Sequence, residues 1–127
     1  RVTGAGSSLV FGSFLIIGQT GDGDLTVADG ATLETRDPLG TFVGSARNSS
    51  GTLLVTGEGS RVTTGQIVIG FSGDGSVTLR DKARLDSAFS WLGYDVDTTG
   101  AAFVGGASEW ASTRLELARS GTASLDV

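Results

Sequence analysis

Ile69-Gly70-Phe71-Ser72-Gly73-Asp74-Gly75-Ser76-Val77-Thr78-Leu79 holds the pattern that decides the fold: an apolar-glycine step, a polar turn closing on glycine, and a short strand alternating apolar and polar side chains. The step recurs as Ile17-Gly18, Val43-Gly44 and Leu92-Gly93, at spacings of 26, 26 and 23 residues, and Leu117-Ala118 follows as a degenerate copy. Each copy leads through turn glycines such as Gly21 and Gly23, Gly51, Gly100 or Gly121 into a strand. These strands are Leu25-Thr26-Val27, Leu53-Leu54-Val55, Val77-Thr78-Leu79, Ala102-Phe103-Val104 and Leu125-Asp126-Val127. Beyond a second turn lies a further apolar position, Leu9, Leu33, Val62, Leu85 or Trp110. Three period-2 strands per repeat, with no helical periodicity, predict that each repeat makes one coil. Such a coil cannot bury its apolar side alone, so the copies must stack. The expected architecture is an all-β, right-handed parallel β-helix of about five coils, with three short strands per coil, filling residues 1–127 as one β-solenoid segment. At the strand spacing of about 4.8 Å, equivalent residues form ladders. The inward ladders are Ile17, Val43, Ile69, Leu92 and Leu117, with the Leu25/Val27 and Leu33 families.

Composition narrows the chemistry. The 127 residues are 39% hydrophobic and 18% charged, too apolar for a disordered chain. Twenty-one glycines against the single Pro38 show no three-residue period, so they serve as turn residues rather than a collagen repeat. With no cysteine and no histidine, disulfides, thiolate sites and the commonest general base are missing. The net charge of −5 opposes a phosphate-tracking surface, and nucleic acid is not an expected partner. The longest apolar run, Phe14-Leu15-Ile16-Ile17, is far too short to span a bilayer as a helix.

The turns add an alternation. Coils one and three carry Val2-Thr3-Gly4-Ala5-Gly6-Ser7-Ser8-Leu9 and Val55-Thr56-Gly57-Glu58-Gly59-Ser60-Arg61-Val62. Coils two and four carry Val27-Ala28-Asp29-Gly30-Ala31-Thr32-Leu33 and Leu79-Arg80-Asp81-Lys82-Ala83-Arg84-Leu85, one residue shorter. Val104-Gly105-Gly106-Ala107-Ser108-Glu109-Trp110 mixes the two. This pattern resembles the repeats of autotransporter (type V secretion) passenger domains, a kind shared with proteins bearing exosortase-type (PEP-CTERM) sorting signals. The resemblance covers essentially the whole chain. It implies a β-helical stalk or adhesive module, secreted or held at the cell surface of a Gram-negative bacterium, and a segment of a longer passenger domain. The absence of cysteine is compatible with that route.

Candidate sites are few. Gly21-Asp22-Gly23-Asp24-Leu25 is acidic and glycine-rich like a calcium β-roll, yet it occurs once, and Gly73-Asp74-Gly75-Ser76 lacks the second aspartate. A tight turn accounts for it, and no cofactor or metal is expected. Asp95, Asp97 and Asn48-Ser49-Ser50 read as solvated turns. A polysaccharide-processing β-helix enzyme would need paired carboxylates. Asp29 and Asp81 occupy equivalent turns two coils, about 9.6 Å, apart, with no arginine or aromatic platform joining them. A self-assembling fibre subunit is the remaining alternative.

One feature departs from a plain scaffold. If Ile17, Val43, Ile69 and Leu92 point inward, then Ile16, Phe42, Val68 and Trp91 point outward, with Phe14 and Phe89 two residues earlier in their own coils. A solvent-facing strand should be polar there, and only Glu116 is. Either a neighbouring element covers this stripe or it contacts a host surface, a glycan or a neighbouring copy. The chain begins and ends in mid-strand, with no polar capping coil at either end. End-to-end stacking, or continuation in a longer parent, is therefore expected.

Overall fold

Alternating side chains after each apolar-glycine step produce thirteen strands and no helix in the computed structural model, which describes residues 1–127. They are β1 (Val2–Thr3), β2 (Ser8–Phe11), β3 (Leu15–Ile17), β4 (Asp22–Ala28), β5 (Thr32–Thr35), β6 (Thr41–Val43), β7 (Ser50–Thr56), β8 (Arg61–Ile69), β9 (Asp74–Arg80), β10 (Arg84–Leu92), β11 (Thr99–Val104), β12 (Glu109–Leu117) and β13 (Thr122–Asp126). Every pairing is parallel. One sheet runs β1-β4-β7-β9-β11-β13 and forms the first face. The other runs β2-β5-β8-β10-β12, with β3 and β6 joined to it through β8. The chain is thus a parallel β-solenoid of five stacked coils.

Each coil has three faces, but the second and third are not always separate strands. In coils three to five they merge into one nine-residue strand, β8, β10 or β12, that bends where Gly65 and Ala88 drop out of register. In coil two the same corner carries the longer Arg36–Gly40 excursion between β5 and β6. Its Asp37 and Pro38 carbonyls lie over Gly65, where a Cβ would sit 3.2 to 3.3 Å from them.

The predicted ladders form the core. Ile17, Val43, Ile69 and Leu92 pair in register and are at most 5% exposed. Val27, Val55, Leu79 and Leu33, Val62, Leu85 join them in one cluster. Burying each such side chain is worth roughly 1.5 to 3 kcal/mol. Leu117 continues this ladder in register with Leu92 and is 48% exposed.

The corner between the third and first faces is too tight for side chains. Gly44, at φ 74°, adopts a left-handed conformation, and a Cβ on it would overlap the Asp74 carbonyl of the next coil. Opposite it, Gly75 of the first face would drive a Cβ into the Val43 carbonyl and the Gly70 amide. The corner between the second and third faces is instead filled with hydroxyls. Thr35 donates to Thr64 Oγ1 at 2.7 Å, Thr41 lies 3.2 Å from the same oxygen, and Thr64 caps the Gln66 carbonyl at the bend. Ser87, Ser90 and Ser112 repeat the arrangement two coils on. No buried side-chain nitrogen or oxygen is left without a partner, as the cost of an unmet bond demands.

Candidate functional site

The third face displays the outward stripe. Ile16, Phe42, Val68, Trp91 and Glu116 are in register on its outer side. Outward direction does not mean full exposure: Phe14 and Phe89 are each 44% exposed, Ile16, Phe42 and Trp91 are half-buried, and Val68 is 2% exposed. Val68 is nevertheless outside the core cluster. It lies between Phe42 and Trp91 in the ladder and supports the rings rather than presenting itself.

Two further rings complete the face. Phe71 and Tyr94 follow the repeated glycines Gly70 and Gly93 directly, and the chain of aromatic contacts runs through them. Phe14 meets Phe42 edge-on at 6.4 Å, Phe42 meets Phe71 at 5.5 Å, and Phe71 meets Tyr94 at 5.1 Å. Tyr94 then meets Trp91 at 6.2 Å, and Trp91 stacks on Phe89 at 5.9 Å. These separations are those at which rings attract beyond simple burial. In the sequence pattern, positions 71 and 94 fall in the polar turns that follow the apolar-glycine step. The signal that could have found them is an aromatic immediately after the apolar-glycine step, where Gln19 and Ser45 stand in coils one and two.

Charges close the belt at coil five. Glu116 accepts from Trp91 Nε1 at 3.2 Å and pairs with Arg114 at 3.3 Å. Arg119 lies 4.6 Å from the Tyr94 ring centre and donates to its hydroxyl, a cation–π contact as well as a hydrogen bond. At the other end, Leu39 of the Arg36–Gly40 excursion is 52% exposed. It helps Phe14, Ile16, Phe42, Ser45 and Phe71 enclose an apolar cleft of about 240 Å3.

Elsewhere, exposed apolar side chains such as Val10, Val96 and Phe103 stand beside clusters of charged and polar groups. On the second face Asp86 is clasped by Arg61 at 2.7 Å and Arg84 at 2.8 Å, and Arg84 also reaches Glu109 at 2.6 Å. Partial burial alone would raise the Asp86 carboxyl, but the hydrogen bonds and charges of Arg84 and Arg61 outweigh it and hold it below the ordinary range. Asp86 borders a shallow trench of about 420 Å3 that Ala88, Ala111 and Thr113 also line. Asp29 and Asp81, the equivalent turn acids, each accept from a threonine of the preceding coil: Thr3 at 2.6 Å and Thr56 at 2.8 Å. Asp22 accepts from Ser50 at 2.6 Å, and no group of three acids is placed to hold a metal ion. Asp22, Asp74 and Asp97 share with Arg47 and Asn48 a polar recess of about 430 Å3.

No protein-family model, no characterised protein and no solved structure matches the chain.

Proposed function

We propose that this chain is a structural β-helical stalk whose third face is an adhesive surface, part of a secreted, autotransporter-like bacterial protein, and that it is not catalytic. The observation that carries the reading is the aromatic belt. Rings on four successive coils line the outside of a sheet that its own core does not need. Partly exposed rings gathered along one outer face are the kind of apolar surface that marks contact sites. Aromatic faces suit both protein surfaces and the apolar faces of sugar rings. The secreted setting rests on the resemblance of the alternating turns, Val-Thr-Gly in coils one and three and Asp-Gly-Ala or Asp-Lys-Ala in coils two and four, to autotransporter passenger repeats.

The polysaccharide-processing alternative draws less support. The acid beside the trench, Asp86, is kept ionised by two arginines, which suits a structural clamp better than a proton donor.

The test is retention of the immobilised chain on a panel of glycans and extracellular matrix proteins, with and without the triple change Phe14→Ser, Phe89→Ser and Trp91→Ser. The reading expects retention of the parent on at least one surface, a loss of tenfold or more in the variant, and a urea midpoint close to the parent's. Equal retention by parent and variant, or none by the parent, overturns it.

A further inference from the structure

We infer that the building unit of this solenoid is a pair of unlike coils, so that a stalk of this kind changes length in steps of two coils, about 9.6 Å, rather than one. The inference concerns the scaffold and stands whether or not the aromatic face is adhesive.

Four contacts carry it, and each has a counterpart two coils on, three of them at equivalent positions and one through amides a residue apart in the turn. In the turn between the first and second faces, a threonine of an odd coil donates to the aspartate of the even coil that follows: Thr3 to Asp29 and Thr56 to Asp81. An amide of that even turn donates in its turn to a serine of the next odd coil, Gly30 N to Ser60 Oγ at 3.0 Å and Ala83 N to Ser108 Oγ at 3.1 Å. The even turn is therefore clasped from both sides, by the threonine of the coil before it and the serine of the coil after it, although the last such serine, Ser108, stands in the mixed turn of residues 104–110.

The corner between the third and first faces alternates in the same phase. Even coils carry seven-residue loops, Gly44 to Ser50 and Gly93 to Thr99, whereas odd coils carry five-residue turns, Gly18 to Asp22 and Gly70 to Asp74. The long loop's hydroxyl donates back to the preceding glycine carbonyl: Ser49 to Gly18 at 3.0 Å and Thr98 to Gly70 at 3.2 Å. The next short turn then seats a glycine against the long loop. A Cβ at Gly73 would overlap the Ala46 carbonyl and crowd Ser49, and one at Gly121 would crowd the Asp95 and Thr98 carbonyls. Two adjacent even coils would set long loop against long loop, with aspartate lacking its threonine. Two adjacent odd coils would leave Ser60-type hydroxyls without the even-turn amide.

The experiment compares three insertions into the full chain by urea unfolding followed by circular dichroism. A second copy of residues 28–79 placed after Leu79 adds two coils and keeps the alternation. A second copy of residues 28–55 after Val55 sets even against even, and a second copy of 56–79 after Leu79 sets odd against odd. A uniform stack gains stability with every added coil. The paired unit instead expects the two-coil insertion to raise the midpoint in a single transition. Each one-coil insertion should lower the midpoint, split the transition or prevent folding. A rise in midpoint with either one-coil insertion, or no rise with the two-coil insertion, overturns the inference.

Discussion

Ile69 sits midway along the inner ladder, with Val43 and Leu92 as its register partners and no exposed surface of its own. Ile69→Ala should therefore cost about 2 to 5 kcal/mol through lost burial and the cavity left behind. Urea titration measures this, and a cost below about 0.5 kcal/mol, the range of surface changes, would mean the two sides of the strand are exchanged. Asp86 gives a second test of a single side chain. Its folded carboxyl titrates below the ordinary aspartate range because of Arg84 and Arg61. The stability it contributes is thus fully present above the unfolded value, about 3.9, and is lost as pH falls through the lower folded value. Asp86→Asn should flatten the acid limb of the stability curve and leave the slope between pH 6 and 8 unchanged. Thermal unfolding across pH 2 to 8 reads both. An unaltered acid limb would show that the clasp contributes nothing. At this scale the sequence was legible where chemistry repeats, as at Ile17, Val43, Ile69 and Leu92. It was not legible at Val68, which points outward yet is buried at its place between Phe42 and Trp91 in the ladder.

The elements show why glycine recurs where it does. Gly75 and its register partners Gly51 and Gly100 line one side of the tightest corner, and Gly44, Gly70 and Gly93 line the other. Either side could be mistaken for loose turn residues, whereas contact between backbones requires both. Gly75→Ala should destabilise by roughly 1 to 3 kcal/mol or more, as overpacking does. Gly21→Ala, at a position where an added Cβ meets nothing within 4 Å, should stay within about 0.5 kcal/mol of the parent. Equal effects in a denaturant titration of the two variants would remove the steric account of the corner. The three-face coil could be read from alternation and turn spacing. The fusion of the second and third faces in β8, β10 and β12 could not, because the bend at Gly65 or Ala88 takes a single residue and leaves the apolar pattern almost unbroken. Phe71 and Tyr94 escaped for a related reason: a residue after a left-handed glycine has no strand period to place it.

Across the whole molecule, one structural rule organises both the core and the candidate site. In the last strand positions before each repeated glycine, neighbouring side chains face opposite ways, as the pleat demands. Val43, Ile69 and Leu92 go into the common core, while Phe42, Val68 and Trp91 go outward to meet Phe14, Phe71, Phe89 and Tyr94. The stack converts a local alternation into two continuous surfaces, one dry and one aromatic. That is the sense in which a spacing of 23 to 26 residues specifies both the solenoid and its outer face. The most direct measurement is solvent relaxation by nuclear magnetic resonance, with a soluble gadolinium chelate added to protein carrying labelled methyl groups and aromatic rings. The account predicts strong broadening of the Phe14 and Phe89 ring signals and the Leu39 methyls, with the methyls of Val43, Ile69 and Leu92 unaffected. Protected Phe14 and Phe89 rings beside broadened Val43 and Ile69 methyls would contradict it.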